Sequence, residues 1–177
     1  MTIHIGTTSD FCPMRFMKRR LLKRSANAEW TAALEGYELH CKQIESQLPA
    51  IASILRESNF HDECVDSVSS VDKRRVSVEL RSRRLEFSGV SYATFPSPGQ
   101  FDSVVWLYDE IDLVRPGVFA VRALFDEGGL EIHATDAKIY DRVKRRYIVP
   151  AEPADPPPTL FLDRSGSRSV RGKRKSR

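Results

Sequence analysis

Residues 57–66, ESNFHDECVD, mark the point at which the periodicity of this chain changes. Before this stretch the apolar residues recur at steps of three and four, which is the spacing of one face of an α-helix. After it they alternate with polar residues, which is the spacing of a strand with one buried face. The stretch therefore predicts a junction between a helical part and a sheet.

One apolar stripe on the N-terminal side of the junction predicts a long helix. Ser25 is placed to cap its start. Pro49 either ends this helix or opens a second, short helical segment that stops near Asn59. The apolar stripe is formed by Trp30, Ala33, Leu34, Tyr37, Cys41, Ile44 and Leu48.

Five segments on the C-terminal side have the pattern of strands. Residues 126–129, Asp-Glu-Gly-Gly, favour a hairpin, because glycine reaches positive φ at little cost. The order of elements predicts an α+β fold, with one long and one short N-terminal helix on a mainly antiparallel sheet of about five to six strands. The strand segments are residues 75–81, 85–89, 104–111, 118–125 and 130–135.

The helix is expected to bury its apolar stripe against the alternating strands. Trp30, Leu34, Tyr37 and Ile44 form the helical side of this predicted contact. The strand residues expected to face them are Val76, Val78, Leu80, Leu85 and Phe87.

Charge divides the chain into three parts. Residues 1–24 carry six basic side chains and one acid, and residues 164–177 carry seven basic side chains and no acid, whereas the residues between hold 15 basic and 23 acidic side chains. From Pro150 the chain is rich first in proline and then in Ser, Gly, Arg and Lys, which is typical of disorder. We therefore predict a basic N-terminal extension (1–24), one α+β domain (25–149) and a disordered basic tail (150–177).

The cysteines and the start of the chain predict a cytoplasmic location. Cys12, Cys41 and Cys64 are an odd number at wide spacings and form no CxxC pair, so neither a disulfide framework nor a zinc knuckle is indicated. The basic start lacks the apolar core of a signal peptide, and no apolar run has the length of a membrane span. We expect no contact with a membrane.

The His61-Asp62 pair suggests a metal site of the kind found in His-Asp phosphohydrolases. A metal could bind if Glu63, Cys64 or His133 converged on His61. Those enzymes are all-helical, however, whereas strands follow this pair. We favour the alternative that His61 and Asp62 satisfy backbone groups where the chain turns from helix to sheet. The metal candidates are thus His61, Asp62, Glu63 and His133.

The sequence contains no motif for nucleotide or acyl chemistry. GxSxG, GxxxxGK[ST] and GxGxxG are all absent, so no cofactor is predicted. Cys64 lies close to His61, but neighbours in a strand point to opposite faces. We expect a protein that is not an enzyme.

The strand 106–111, Trp-Leu-Tyr-Asp-Glu-Ile, carries paired acids between aromatic residues. Strict alternation would place Trp106, Tyr108 and Glu110 on one face and Leu107, Asp109 and Ile111 on the other, so that one acid lies on each face. Such a separation favours partner binding over acid-base catalysis. The candidate partner-binding residues are Trp106, Asp109, Glu110 and Asp112.

The basic ends could bind nucleic acid through its phosphates. Such binding would depend little on base sequence and would weaken as salt rises. The tail contains no aromatic residue that could stack on a base after residue 163. The candidate residues are Arg168, Arg171, Lys173, Arg174, Lys175 and Arg177.

The chain resembles a group of uncharacterised bacterial domains that carry an N-terminal helix, a hydrophobic-His-Asp step and a small antiparallel sheet. Related layouts occur among immunity-type proteins of bacterial toxin systems. The resemblance covers about residues 14–140 and implies a bacterial origin, but it transfers no catalytic residue. Because such chains often begin like residues 14–16, Met-Arg-Phe, residues 1–13 are expected to be an added or misannotated start. The motifs that carry the resemblance are Trp30, Tyr37, Leu48-Pro49, Phe60-His61-Asp62, residues 106–111 and Leu124-Phe125-Asp126.

Three functions follow from these patterns. The first is a non-enzymatic interaction module, immunity-like in layout, whose acidic body binds a basic protein. The alternative is a nucleic-acid-associated protein that acts through its basic termini. A metal-dependent hydrolase at His61 and Asp62 is the weakest of the three.

Overall fold

The computed structural model describes residues 2–5, 14–17, 28–96 and 104–149. It confirms an α+β fold with two helices and a large, mainly antiparallel sheet. The long helix α1 spans Ala28–Ile44, a single 3-10 turn follows at Glu45–Gln47, and the short helix α2 spans Ala50–Glu57. Pro49 directly precedes α2, where its missing N–H leaves no helical hydrogen bond unmade.

The sheet is larger than the predicted five to six strands. The described residues form ten strands, nine of them after the junction, in the spatial order β1-β5-β8-β7-β6-β2-β3-β4-β9-β10. The pair β1 and β5 is parallel and the other pairs are antiparallel. The strands are β1 (Thr2–Ile5), β2 (Cys64–Asp72), β3 (Arg75–Leu80), β4 (Arg83–Ser88), β5 (Tyr92–Phe95), β6 (Val104–Arg115), β7 (Val118–Phe125), β8 (Gly129–Ala134), β9 (Asp136–Asp141) and β10 (Arg146–Ile148).

The sheet closes on itself through a bent two-stranded ribbon. Residues 89–91 separate β4 from β5, and Thr135 alone separates β8 from β9. Along this ribbon β4 pairs with β9, and beyond the bend β5 pairs with β8. One side of the ribbon, β8, also pairs with β7, and its other side, β4, also pairs with β3. From β7 the pairing continues through β6 and β2 to β3, and so returns to the ribbon. The result is a closed, barrel-like circuit.

Gly89 makes the bend possible. Its φ is +62°, and a Cβ on this residue would overlap the side chain of Thr135, which lies between β8 and β9. The Thr135 amide donates a hydrogen bond to the Ser88 carbonyl at 3.2 Å, so the two strands stay paired across the corner. Only glycine combines the left-handed backbone with this close approach.

The main hydrophobic core lies inside the closed circuit. Strands β2 to β9 all contribute side chains to it, and α2 adds Ile51, Ala52 and Leu55. Val78, Leu80 and Leu85 have no exposed surface. The alternation of β3 and β4 therefore gives the correct buried face, and α2 is the helix that shares this core.

The predicted packing of the long helix is wrong. Trp30, Leu34 and Tyr37 belong to a second cluster, which contains Met14, Met17, Phe16, Tyr108 and Leu124. The strand residues expected to face them point instead into the closed core, where other strands already cover them. Because the sheet is closed, α1 packs on the outer side of β6 and β7.

The helix-to-sheet junction falls at the predicted place. Residues 61 and 62 form a turn between α2 and β2, and Asp62 has a φ of +66°. The Asp62 amide donates to the Trp106 carbonyl and the Trp106 amide to the Glu63 carbonyl, each at 2.9 Å. The junction is thus fixed on β6 by backbone hydrogen bonds.

A β-bulge in β6 overturns the predicted alternation of its side chains. The register with β7 shifts between Trp106 and Tyr108. Trp106 therefore joins the closed core, whereas Tyr108 packs in the second cluster under α1. Glu110 and Asp112 follow Tyr108 on the outer side, and Ile111 lies in the core.

The predicted N-terminal extension contributes to the fold. Strand β1 pairs with β5, and Met14 and Met17 are buried in the second cluster. Among the described residues, neither helix has both the length and the apolar composition needed to cross a membrane. The predicted tail, residues 150–177, lies outside the described residues.

Candidate functional site

Glu110 holds the segment 14–17 against the sheet. Its carboxylate accepts hydrogen bonds from the backbone amides of Arg15, Phe16 and Met17 at 2.7, 2.7 and 2.6 Å. The side chain is 1% exposed, so these three donors replace the water that a charged group would otherwise need. Glu110 therefore places Met17 beside α1.

Asp112 fixes α1 from the same strand. One carboxylate oxygen lies 2.7 Å from Nε2 of His40 on α1, and the other lies 2.9 Å from the guanidinium of Arg122 on β7. Burial alone would raise the pKa of Asp112, but the bonds to His40 and Arg122 lower it below its ordinary value. Asp112 is thus held as a carboxylate.

A series of ion pairs continues from Arg122 across the outer face of the sheet. The Nε of Arg122 donates to Glu131 on β8 at 2.9 Å, and the same Glu131 oxygen lies 2.9 Å from Nε2 of His133. Burial would raise the pKa of Glu131, and the contacts with His133 and Arg122 lower it below its usual range. Desolvation offsets much of the attraction among buried charges. These ion pairs therefore orient the strands and α1 more than they add stability.

Tyr37 joins α1 to the backbone of β6. The Ile111 amide donates a 2.6 Å hydrogen bond to the Tyr37 hydroxyl oxygen. Burial raises the pKa of Tyr37, so the hydroxyl stays protonated. With His40 one turn further along α1, the helix is bound to β6 at two successive points.

These anchors create a cavity of about 470 Å³, which we call the α1 groove. Its floor is formed by Met17 and the α1 residues Leu34, Tyr37 and Cys41. Charged residues from α1, the 3-10 turn and α2 form its rim, and Arg56 bonds Glu45 at 2.9 Å across the cavity mouth. The rim residues are Glu38, Lys42, Glu45 and Arg56.

An apolar floor inside a charged rim suits the docking of a side chain rather than the breaking of a bond. The thiol of Cys41 is 6% exposed, and His40 beside it is engaged by Asp112. The Tyr37 hydroxyl is occupied by the Ile111 amide. The groove therefore offers mainly apolar surface together with charges that can orient a partner.

The four candidate partner-binding residues lie mostly inside the protein. Trp106 is fully buried, and Glu110 and Asp112 are 1% and 8% exposed. Asp109 accepts a 3.0 Å hydrogen bond from the Trp106 indole. Burial raises the pKa of Asp109 to about 7, the indole opposes this shift, and the neighbouring charge of Glu110 adds to it. Partner binding by these residues stays a prediction, and the structure gives each an internal contact.

The four candidate metal ligands are not brought together. Nδ1 of His61 lies 2.9 Å from Asp62, Glu63 accepts hydrogen bonds from Ser82, and His133 is paired with Glu131 within β8. In the part of the chain that the structure describes, no three His, Cys, Asp or Glu side chains are arranged to hold a metal. The six nucleic-acid candidates between Arg168 and Arg177 lie outside the described residues.

The chain matches no protein-family model, no curated protein and no solved structure in three comparisons.

Sequence reasoning missed the groove because its residues are spread over four parts of the chain: the segment 14–17, α1, the 3-10 turn and α2. Leu34, Tyr37 and Cys41 belong to the predicted apolar stripe. The stripe indicated that these residues are buried, but not that part of their surface stays open as a groove. Met17 lies in the predicted extension and Arg56 in the second helix. The one local signal was Leu39, an apolar residue off the stripe that is 59% exposed.

Proposed function

We propose that this protein is a non-enzymatic binding module that docks a protein partner at the α1 groove. The observation that carries the proposal is the mainly apolar cavity of about 470 Å³ with a rim of four charged side chains. Protein interfaces commonly combine a desolvated apolar centre with a polar border. One large apolar side chain of the partner would fill the groove and act as its main anchor.

The outer face of α1 favours a basic partner. Glu29, Glu35 and Glu38 are exposed along the helix, and Glu45 follows in the 3-10 turn, whereas Lys42 is the one basic residue of α1. Leu39 projects from this acidic face. Complementary charge would orient the partner and speed its association, and Leu39 would extend the apolar contact beyond the groove.

The anchors beneath α1 support a preformed site. Tyr37 and His40 bind β6, and Glu110 holds Met17, so the groove residues lose little freedom when a partner binds. A preorganised surface loses less free energy on association than a mobile one. The proposal includes an immunity-type role, in which the partner is a toxin of the same bacterial system.

Affinity capture from a bacterial lysate, treated with nuclease, tests this function. The double variant Glu35→Lys/Glu38→Lys and the single variant Leu39→Asp should each lose a protein that the unchanged chain retains. The matched control Glu127→Lys/Asp136→Lys reverses two exposed acids away from α1 and should retain it. Equal recovery by all three variants would exclude the α1 surface as the docking site.

A further inference from the structure

A second concave surface lies on a part of the sheet that α1 does not cover. The outer side of β2, β3, β4 and β9 encloses a cavity of about 410 Å³, which we call the serine groove. Ser69, Ser77 and Ser88 line it, and the register places Ser69 beside Ser77. Ser77 already donates to Glu79 at 3.2 Å, and the hydroxyls of Ser69 and Ser88 can donate hydrogen bonds to an oxygen-rich ligand.

Cations stand along this groove and at both of its ends. Arg75, Arg84 and Lys138 line it, although Arg75 is paired with Asp72 at 2.6 Å and Arg84 with Glu86 at 2.9 Å. At one end the turn between β2 and β3 adds Lys73 and Arg74. At the other, pairing of β4 with β9 brings residues 81–84 beside residues 142–146, with the Arg142 amide bonded to the Ser82 carbonyl at 2.9 Å.

The second of these basic ends is only partly neutralised. Residues 81–84 and 142–146 together carry seven arginines and lysines. Lys144 lies 3.8 Å from Asp141, and Arg142 lies 3.3 Å from Asp66. Arg81, Arg145 and Arg146 are exposed and form no ion pair with a described residue. Their guanidinium groups are open to a phosphate ligand.

Two aromatic rings lie beside the cations. The rings of Tyr140 and Tyr147 are 5.2 Å apart, and Tyr147 on the edge strand β10 is 45% exposed. The Arg84 guanidinium lies 5.2 Å from the centre of the Tyr140 ring, and the Lys138 ammonium lies 5.9 Å from that of Tyr147. A base can stack on such a ring while a neighbouring cation binds its phosphate.

We propose that the serine groove and the Tyr147 ring bind a single strand of nucleic acid. The basic ends would hold phosphates, the serines would bond the backbone, and Tyr147 would stack on one base. An unpaired strand is required, because the bases of a duplex are already stacked on one another. Glu79 and Glu86 also line the groove and would repel phosphates from its centre, so the phosphates of the strand would bind at the two basic ends.

This site is separate from the α1 groove and from the basic tail. It would give the folded body a nucleic-acid contact of its own, which does not depend on the proposed protein partner. Residues 164–177 could add phosphate contacts to the same strand, but they cannot supply base stacking, since they contain no aromatic side chain.

Fluorescence anisotropy with the full chain and a labelled oligothymidylate of about 12 nucleotides tests the proposal. Tyr147→Ala should weaken binding about 5- to 150-fold, which is the range for loss of one stacked base. Lys138→Ala should weaken binding and lower the steepness of log affinity against log salt by about 0.7. The control Arg115→Ala removes one exposed charge from the C-terminal end of β6 and should bind within about twofold of the unchanged chain.

A tail variant separates the two sources of charge. In the full chain with Arg171, Lys173, Arg174 and Lys175 changed to glutamine, Tyr147→Ala should still weaken binding. Several results would overturn the proposal: no binding of the oligonucleotide, equal affinity for a duplex of the same length, or a loss of binding that the tail variant shows and the Tyr147 and Lys138 variants do not. Binding of phosphatidylserine vesicles in place of the oligonucleotide would overturn it as well. Matching melting curves would show that the Tyr147 and Lys138 variants are folded.

Discussion

His40 on α1 and Asp112 on β6 lie 2.7 Å apart although 72 residues separate them in the sequence. The same carboxylate bonds Arg122 on β7 at 2.9 Å. One side chain thus joins the helix that carries the α1 groove to two strands of the closed sheet. A change at Asp112 should therefore affect the whole outer layer.

Asp112→Asn should lower the free energy of unfolding by about 2–3 kcal/mol, since it removes charge-assisted bonds to His40 and Arg122. Asp136→Asn is the control, because Asp136 is exposed; its change should stay within about 0.5 kcal/mol. Urea denaturation measures both. Equal losses in the two variants would show that the bonds of Asp112 do not hold the layer together.

Acid should weaken the fold through Asp112 and Glu131. Both pKa values are lowered in the folded protein from ordinary values of 3.8 and 4.5. Their contribution is complete above about pH 4.5, and it is lost as pH falls through the lower folded values, because the unfolded chain takes up protons first. Urea denaturation between about pH 3 and 6 should show a shallower acid loss for Asp112→Asn. Parallel curves would contradict this assignment.

Asp109 should act in the opposite direction and at higher pH. Its folded pKa of about 7 exceeds the ordinary value of 3.8, so its contribution to stability is greatest below 3.8 and is lost as pH rises to about 7. Asp109→Asn keeps an oxygen for the Trp106 indole and should remove the decline between about pH 5 and 7. In a Trp30→Phe background, Trp106 emission should titrate near neutrality. An emission that stays constant over this range would exclude the raised pKa.

Gly89→Ala should destabilise the protein more than Gly117→Ala. Both glycines have positive φ, +62° and +74°, which costs an alanine about 1–2 kcal/mol. Only at Gly89 does the new methyl group meet Thr135, which should add about 1–3 kcal/mol. Thermal and urea unfolding of the two variants measure the difference. Equal losses would mean that the bend tolerates a side chain.

The His61-Asp62 turn should hold no metal. Purified protein is expected to contain well under one zinc, manganese or iron per chain by elemental analysis. His61→Ala should lower stability by less than about 1 kcal/mol, since the imidazole is 43% exposed and pairs with an exposed Asp62. About one metal ion per chain, lost on this substitution, would restore the hydrolase interpretation.

Local pattern predicted the elements better than their arrangement. Residues 118–125 match β7 because a nearly continuous apolar run followed by a glycine-containing turn marks that strand. Strand β2 was missed because two register shifts interrupt its pairing with β3 and most of its residues are exposed. An apolar stripe shows which side of α1 is covered, but closure of the sheet decides what covers it.

The candidate site was predictable in part. The acids of β6 stood out in the sequence, but a bulge at Leu107 moved Trp106 to the face opposite Tyr108 and Glu110, and bulges have no reliable local signal here. The partners of Glu110 are more than 90 residues away, in a segment expected to lie outside the domain. Both grooves depend on such distant pairings.

The contact of Glu110 with Arg15 joins positions 95 residues apart, which sets an order of events during synthesis. The segment 14–17 leaves the ribosome long before β6 is synthesised, so Met14 and Met17 stay exposed until β6 can hold them in the fold. The α1 groove is completed by Met17, and it therefore forms only after β6 has emerged and folded. A nascent chain halted before residue 110 would display an apolar N-terminal segment, and this segment is where we expect chaperones to bind first.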